Sequence, residues 1–225
     1  SFCRLHTTVS WLQDSKKSLA QSAAELSAIG GVERTLLALP GQMDDAIASL
    51  QVAEQVVAGL FGEVEPDPRR DDQLLRFPHG VVPQALREIA VTLAGLFEKL
   101  STGLSRIESQ LEEALDDEFA GIDKTTIETL HITVGGMLGR AEGALALWRE
   151  YARGGEMQSP PQARWINLLN SGGQFGFDLR SSPVLASDIL ADCLWSRAAG
   201  VIVTSATLTA LGSFERFILR SGAPR

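Results

Sequence analysis

A chain of 225 residues, 44% hydrophobic and 21% charged, carries enough apolar material for a packed core, which excludes a disordered protein. Its formal net charge of −8 and pI near 4.9 argue against a free-standing binder of nucleic acid, because phosphate contact needs local positive charge. DNA as a ligand of a larger assembly stays open, since other parts can supply a basic groove.

Residues 2–29 read as one long helix, with Leu5, Val9, Leu12, Leu19, Leu26 and Ile29 recurring at helical spacing. Gly30-Gly31 ends or bends it. A short helix over 32–38 is expected to break at Pro40-Gly41, and 42–60 is helical again. Residues 62–80 mix acidic residues, arginines and prolines and predict an exposed connection, with Leu74–Phe77 packing back onto the helices. A long stripe from Leu86 to Leu115 predicts a helix over 82–118. Its acidic end opposes the helix dipole, so a break is expected near Asp116. Residues 124–152 form the last long helix. Gly135, Gly136, Gly139 and Gly143 inside it predict close helix–helix contact or a kink. Residues 1–152 thus read as an antiparallel bundle of about four helices.

The texture changes after Gly154-Gly155, and Pro160-Pro161 marks a boundary. Short strands are expected at 163–169 and 175–179 around the turn Ser171-Gly172-Gly173, and a helix at 187–196. Val201-Ile202-Val203 predicts a buried strand, and 211–219 a helix that Ser213 could cap. Helix, buried strand, loop and helix in that order suggest the edge of a parallel α/β sheet whose other strands lie outside this chain.

Cys3 and Cys193 predict two reduced, buried thiols, and no cysteine or histidine cluster suits a metal. Glu112, Glu113 and Asp116 lack the histidine motif of a di-metal bundle. No stretch is long enough to span a membrane and no signal peptide is visible, so a cytoplasmic location is expected. The chain starts without Met and stops at Ala223-Pro224-Arg225, so it is expected to be a segment of a longer polypeptide. Its basic residues, Arg76, Arg149 and Arg153 among them, are scattered in sequence. Trp148, Tyr151 and Trp165 could stack a base, with core packing the simpler expectation.

The informative motif is Thr204-Ser205-Ala206-Thr207, directly after the apolar run. Functional loops of α/β sheets gather at the carboxyl ends of strands, and small hydroxyl residues there can bond a carboxylate, a water or a phosphate. As bare chemistry, a plain strand exit with a helix cap is the stronger reading of these residues.

The stretch from Trp195 to Phe217, with Phe177–Arg180 and Asp192–Trp195 before it, resembles the region around helicase motif III of DinG-like superfamily 2 DNA helicases, relatives of the XPD helicase. The resemblance implies a mainly α fold: an Arch-like helical bundle at 1–155, followed at 156–225 by a partial α/β segment returning to the first RecA-like motor domain. It further implies an ATP-dependent 5′–3′ DNA helicase of repair or replication. The helical part would help enclose single-stranded DNA, and Thr204, Ser205, Ala206 and Thr207 would couple ATP hydrolysis to DNA movement. The implied cofactors are ATP, Mg²⁺ and a 4Fe–4S cluster. The implied partners are the remainder of the helicase chain, single-stranded DNA and a replication or repair protein, with no membrane. No phosphate loop, acidic box or four-cysteine set is present, so the segment alone is expected to be inactive. The alternative is a non-enzymatic helical interaction module of a repair or replication complex.

Overall fold

The computed structural model describes residues 1–62, 73–116, 122–157, 161–171, 174–205, 208–209 and 212–224. The elements run β1 (Phe2–Arg4), α1 (Leu5–Gln21), α2 (Ala23–Ala28), α3 (Glu33–Gly62), β2 (Gln73–Arg76), α4 (Gln84–Asp116), α5 (Lys124–Ala152), β3 (Gln162–Ser171), β4 (Gln174–Pro183), α6 (Ser187–Leu190), a π-helical turn (Ala191–Trp195) and α7 (Glu215–Ser221). The fold is mainly α with a small sheet, as expected. No helix among the described residues is long and apolar enough to cross a membrane.

The helical body is built on apolar residues that alternate three and four apart. Along α4, Leu86, Ala90, Leu93, Phe97, Leu100, Leu104, Ile107 and Leu111 are all buried. On α3, Leu39, Met43, Ala46, Leu50, Ala53, Val57 and Phe61 do the same. Such spacing keeps one seam facing a neighbour over many turns, which is how long helices bury a face without a large core. Accordingly α1 packs on α3, α3 on α4, and α4 most extensively on α5. The Asp123 carboxylate caps α5 by accepting from the Thr126 amide at 3.2 Å, satisfying one of the orphan donors of the first turn.

Several expectations change. The helix read from residue 2 begins at Leu5, because Phe2–Arg4 joins the sheet, and it is divided at Ser22. Pro40 does not break the chain: α3 is one helix over Glu33–Gly62 with Pro40 inside it. A proline removes one backbone hydrogen bond, and here fully buried Leu39 and Met43 flank it and hold both halves in one packed seam. Of the glycines of α5, one marks a close contact with a neighbouring helix. A Cβ at Gly136, Gly139 or Gly143 would meet nothing within 4 Å, while at Gly135 it would lie 3.0 Å from Glu108 Oε1. Close approach falls also at Gly103 of α4, where a Cβ would lie 3.1 Å from Leu39 of α3.

The sheet has four strands in the order β1-β4-β3-β2, all antiparallel. Leu74–Phe77 does pack back: Gln73–Arg76 is the strand β2, and Phe77 is buried. One row of cross-strand neighbours, Cys3–Leu179–Ile166–Leu75, faces the helices and is buried or half-buried. Phe177 stacks on Phe61 of α3 at 5.5 Å between ring centroids. The Tyr151 hydroxyl, at the end of α5, lies 2.9 Å from the Trp165 carbonyl and 3.1 Å from the Arg180 carbonyl, tying α5 to the centre of the hairpin. The hairpin therefore shares a core with the helices.

The expected strand at 201–203 is not formed. Val201, Ile202 and Val203 are 39%, 93% and 41% exposed and carry no strand assignment. Three β-branched residues suit a strand only when flanking strands take up their backbone groups, and among the described residues none lies alongside. Nor is the observed sheet parallel, because β3 and β4 turn back on each other and recruit β1 and β2. The helix expected from 211 begins at Glu215, and Phe214 before it is 54% exposed. In the helix over 187–196, Leu190, Leu194 and Trp195 are half-buried while Ile189 and Cys193 are exposed. Asp117–Glu118, the polar connection 63–72, Pro160 and the turn glycines Gly172-Gly173 lie outside the described residues.

Candidate functional site

Thr204 and Ser205 follow the exposed run Val201–Val203, and both are exposed. Ala206 and Thr207 lie outside the described residues. The segments beside them are held together locally. Trp195 Nε1 donates to the Ser221 carbonyl at 2.6 Å, joining the π-helical turn to the end of α7. The Glu215 amide donates to Ser213 Oγ at 3.1 Å, while the N-cap position of α7 itself is Phe214, without a side-chain cap. Ser205, Leu208 and Thr209 line a cavity of about 530 Å³ together with Leu190, Phe217 and two guanidinium groups, Arg216 and Arg220. A hydroxyl beside two cations suits a carboxylate or a phosphate oxygen. Arg216 and Arg220 were missed in the sequence, although their spacing of four places them on one face of a helix.

A second group of residues comes together on the sheet face opposite the helices. The register sets Arg76 opposite Trp165, Trp165 opposite Arg180, and Arg180 opposite Phe2. Directly opposed residues of antiparallel strands share a face. A row Arg76–Trp165–Arg180–Phe2 therefore crosses all four strands. Trp165 is half-buried, Arg76 is exposed and Phe2 is 67% exposed. Arg180 donates from Nε and Nη2 to one oxygen of Asp178, at 3.0 and 2.8 Å. Asp178 is 1% exposed, so that pair neutralises a buried carboxylate beneath the row. Beside Trp165 and Arg76 lies a cavity of about 550 Å³, bordered by exposed Met157.

Of the three aromatics considered for stacking, only Trp165 is accessible. Trp148 and Tyr151 are fully buried and pack edge-to-face at 6.2 Å. Arg149 and Arg153 pair with Glu98 and Glu150 on the outside of the bundle. Arg164, 2% exposed, donates to the Gly80 carbonyl at 2.8 Å and pairs with Glu150 at 3.4 Å. Burial lowers the pKa of its guanidinium, and Glu150 opposes that shift.

The two thiols differ, contrary to the expectation that both are buried. Cys193 is exposed. Cys3 is buried, and desolvation pushes its pKa up to about 11, against a hydrogen bond with Thr8 that lowers it. Native protein is therefore expected to lose one thiol rapidly to an alkylating reagent at mildly alkaline pH, with Cys3 reacting only on unfolding; peptide mass mapping checks this. The raised pKa also means that the fold keeps the neutral thiol while the unfolded chain ionises. Stability is full below the unfolded value near pH 9 and is lost as pH rises towards 11, by on the order of 2 kcal/mol. Tyr151, raised by the same burial, adds in the same direction. Urea midpoints measured across this window test the sign.

The residues present do not suit the cofactors implied by the resemblance. The whole chain has two cysteines, too few for a 4Fe–4S cluster, and no glycine-rich loop ending in Lys-Ser or Lys-Thr to cradle phosphates. Among the described residues no group of three or more His, Cys, Asp or Glu could hold a metal ion.

Along almost its whole length the chain is similar to part of an ATP-dependent DNA helicase. That relative is ATP-dependent DNA helicase DinG of Photobacterium profundum, 29% identical over 219 residues, which is 97% of this chain and 30% of the relative. Proteins of the same name from Salmonella typhimurium and Escherichia coli K12 are 32% and 31% identical over 147 residues, 65% of this chain and 20% of each relative. The resemblance carried by Trp195–Phe217 is thus borne out as similarity to part of the DinG helicases. It spans less than a third of the length of those relatives. No protein-family model matches it.

Proposed function

We propose that this chain works as part of an ATP-dependent 5′–3′ DNA helicase of repair or replication. Residues 1–155 are its Arch-like helical domain, helping to enclose single-stranded DNA, and residues 156–225 are a portion of its first RecA-like motor domain. The observation that carries this reading is similarity to a DNA helicase over 97% of the chain.

The exposure of Val201–Val203 supports the second half of the reading. Three consecutive apolar residues, apolar on both faces, suit a strand placed between neighbours in a parallel sheet. Once inserted there, the run would deliver Thr204, Ser205, Ala206 and Thr207 to the carboxyl edge of that sheet, where ligands gather. In this reading a hydroxyl of Ser205 or Thr207 bonds the acidic box of the motor, and loss of the γ-phosphate is passed to the loop through that bond. ATP and Mg²⁺ bind other parts of the enzyme, which also carry the 4Fe–4S cluster. The partners are the rest of the helicase, single-stranded DNA and a replication or repair protein, and the setting is the cytoplasm.

The test is a strand-separation assay with the complete gene product that contains this chain, on a duplex with a single-stranded 5′ tail. ATP-dependent unwinding is expected, and the opposite tail polarity should not support it. The 225-residue chain alone should hydrolyse no ATP. Turnover by that chain at the rate of the complete protein would overturn the assignment of ATP binding to other parts.

A further inference from the structure

We propose that the sheet face opposite the helices is a platform for single-stranded DNA, on which bases stack against Trp165 and Phe2 while phosphates meet Arg76, Arg180 and Arg4. The proposal deepens the helicase reading and rests on it for the choice of DNA.

Arg76, Trp165, Arg180 and Phe2 stand in one cross-strand row, and Arg4 lies two residues from Phe2 on the same face. Three strand spacings make the row about 14 Å long. Cation and aromatic alternate along it. That alternation suits a single strand, whose backbone carries one charge per nucleotide and whose unpaired bases expose flat faces. A duplex would offer phosphates but no free base face, so it would gain little from Trp165.

Charge supports the same occupant. The chain as a whole carries −8, yet among the described side chains of this face Asp178 is the one carboxylate. It is 1% exposed and bonded twice by Arg180. The described side chains of this face, Arg4, Arg76 and Arg180 against Asp178, therefore carry a net positive charge, against the sign of the protein. The cavity of about 550 Å³ beside Trp165 gives a stacked base somewhere to sit, with the Arg76 side chain on its wall. Tyr151 holds the carbonyls of Trp165 and Arg180 from below, so the centre of the row is anchored to α5 before any ligand arrives.

The test uses the 225-residue chain and a fluorescently labelled oligothymidylate, with anisotropy followed over a salt series. Trp165→Ala is expected to weaken binding by on the order of tenfold, the loss of one stacked base, and Trp165→Phe to keep most of the affinity. Arg76→Gln should reduce the slope of log affinity against log salt by about 0.7, one phosphate contact on a single strand. Lys16→Gln removes a charge of the same sign from α1, where Lys16 pairs with Asp44, and should change neither quantity. Circular dichroism checks that each variant is folded, and the Phe and Gln variants carry the test if Trp165→Ala is not. Equal binding by wild type, Trp165→Phe and Arg76→Gln with unchanged slopes, alongside an unaffected Trp165→Ala, would overturn the proposal, as would no binding by the wild-type chain. Either failure leaves the helicase reading standing, because strand separation by the complete protein tests that separately.

Discussion

Trp148→Ala is expected to cost about 3–5 kcal/mol of folding stability, the range for truncating a large aromatic in a packed interior. Trp148 is 0% exposed and sits where α5 meets the sheet. Its ring packs edge-to-face on Tyr151, and Tyr151 packs the same way on Phe77, each at 6.2 Å between centroids. Removing the indole would leave a cavity beneath the residue that anchors the hairpin, so the loss should reach the sheet as well as the bundle. Trp148→Phe is the informative contrast. Trp148 Nε1 is buried without a hydrogen-bond partner among the described residues. The smaller ring gives up volume but also removes an unpaired donor, and a cost of about 1 kcal/mol is expected. Urea unfolding followed by circular dichroism reads both variants. An alanine variant as stable as the phenylalanine one would show that the indole is not a core element.

The second large effect is expected at Gly80. Its φ is +72°, in the left-handed region, and it follows His79, whose φ is +53°. A Cβ at Gly80 would come within 2.0 Å of the Gln162 carbonyl oxygen, which is backbone of β3 and has no rotamer to escape into. The Gly80 carbonyl also accepts from buried Arg164 at 2.8 Å. Gly80→Ala should therefore either displace the 78–80 turn or push β3 away, and either path breaks that hydrogen bond. A loss of roughly 3 kcal/mol is expected, combining backbone strain and the lost hydrogen bond from Arg164 to the Gly80 carbonyl. A thermal melt compares it with Gly59→Ala, inside α3, where a Cβ meets nothing within 4 Å and alanine should be neutral or stabilising.

The helical half of the molecule was legible because one signal repeats many times. Leu86 to Leu111 marks the buried seam of α4 at every turn, and Lys124–Ala152 matches the expected helix to the residue. Single-residue rules did worse. Pro40 and the glycines of α5 carry strong local preferences, yet tertiary packing decided the first and open space surrounds most of the second. The sheet was half legible. The hairpin is seen from its alternation, but β1 and β2 are three and four residues long and give no periodic signal.

The same limit hid the arginine–tryptophan row. Arg76, Trp165 and Arg180 look scattered along the chain, and only strand register makes them neighbours. At 201–203 the failure was of another kind. The residues read as a buried strand because their composition is that of one, and composition records the surroundings in which a segment works. In this chain the run is exposed.

The measurement closest to the central claim is unwinding set against ATP hydrolysis in the complete gene product, with and without Ser205→Ala combined with Thr207→Ala. The unaltered protein is expected to separate a 5′-tailed duplex with ATP. The double variant should keep much of its DNA-stimulated hydrolysis while unwinding falls by on the order of tenfold or more, because one lost hydrogen bond in a coupling loop wastes turnover without removing the ATP site. Absence of ATP-dependent unwinding by the unaltered protein would contradict the helicase reading, and an equal fall in both activities would contradict the coupling role of the loop.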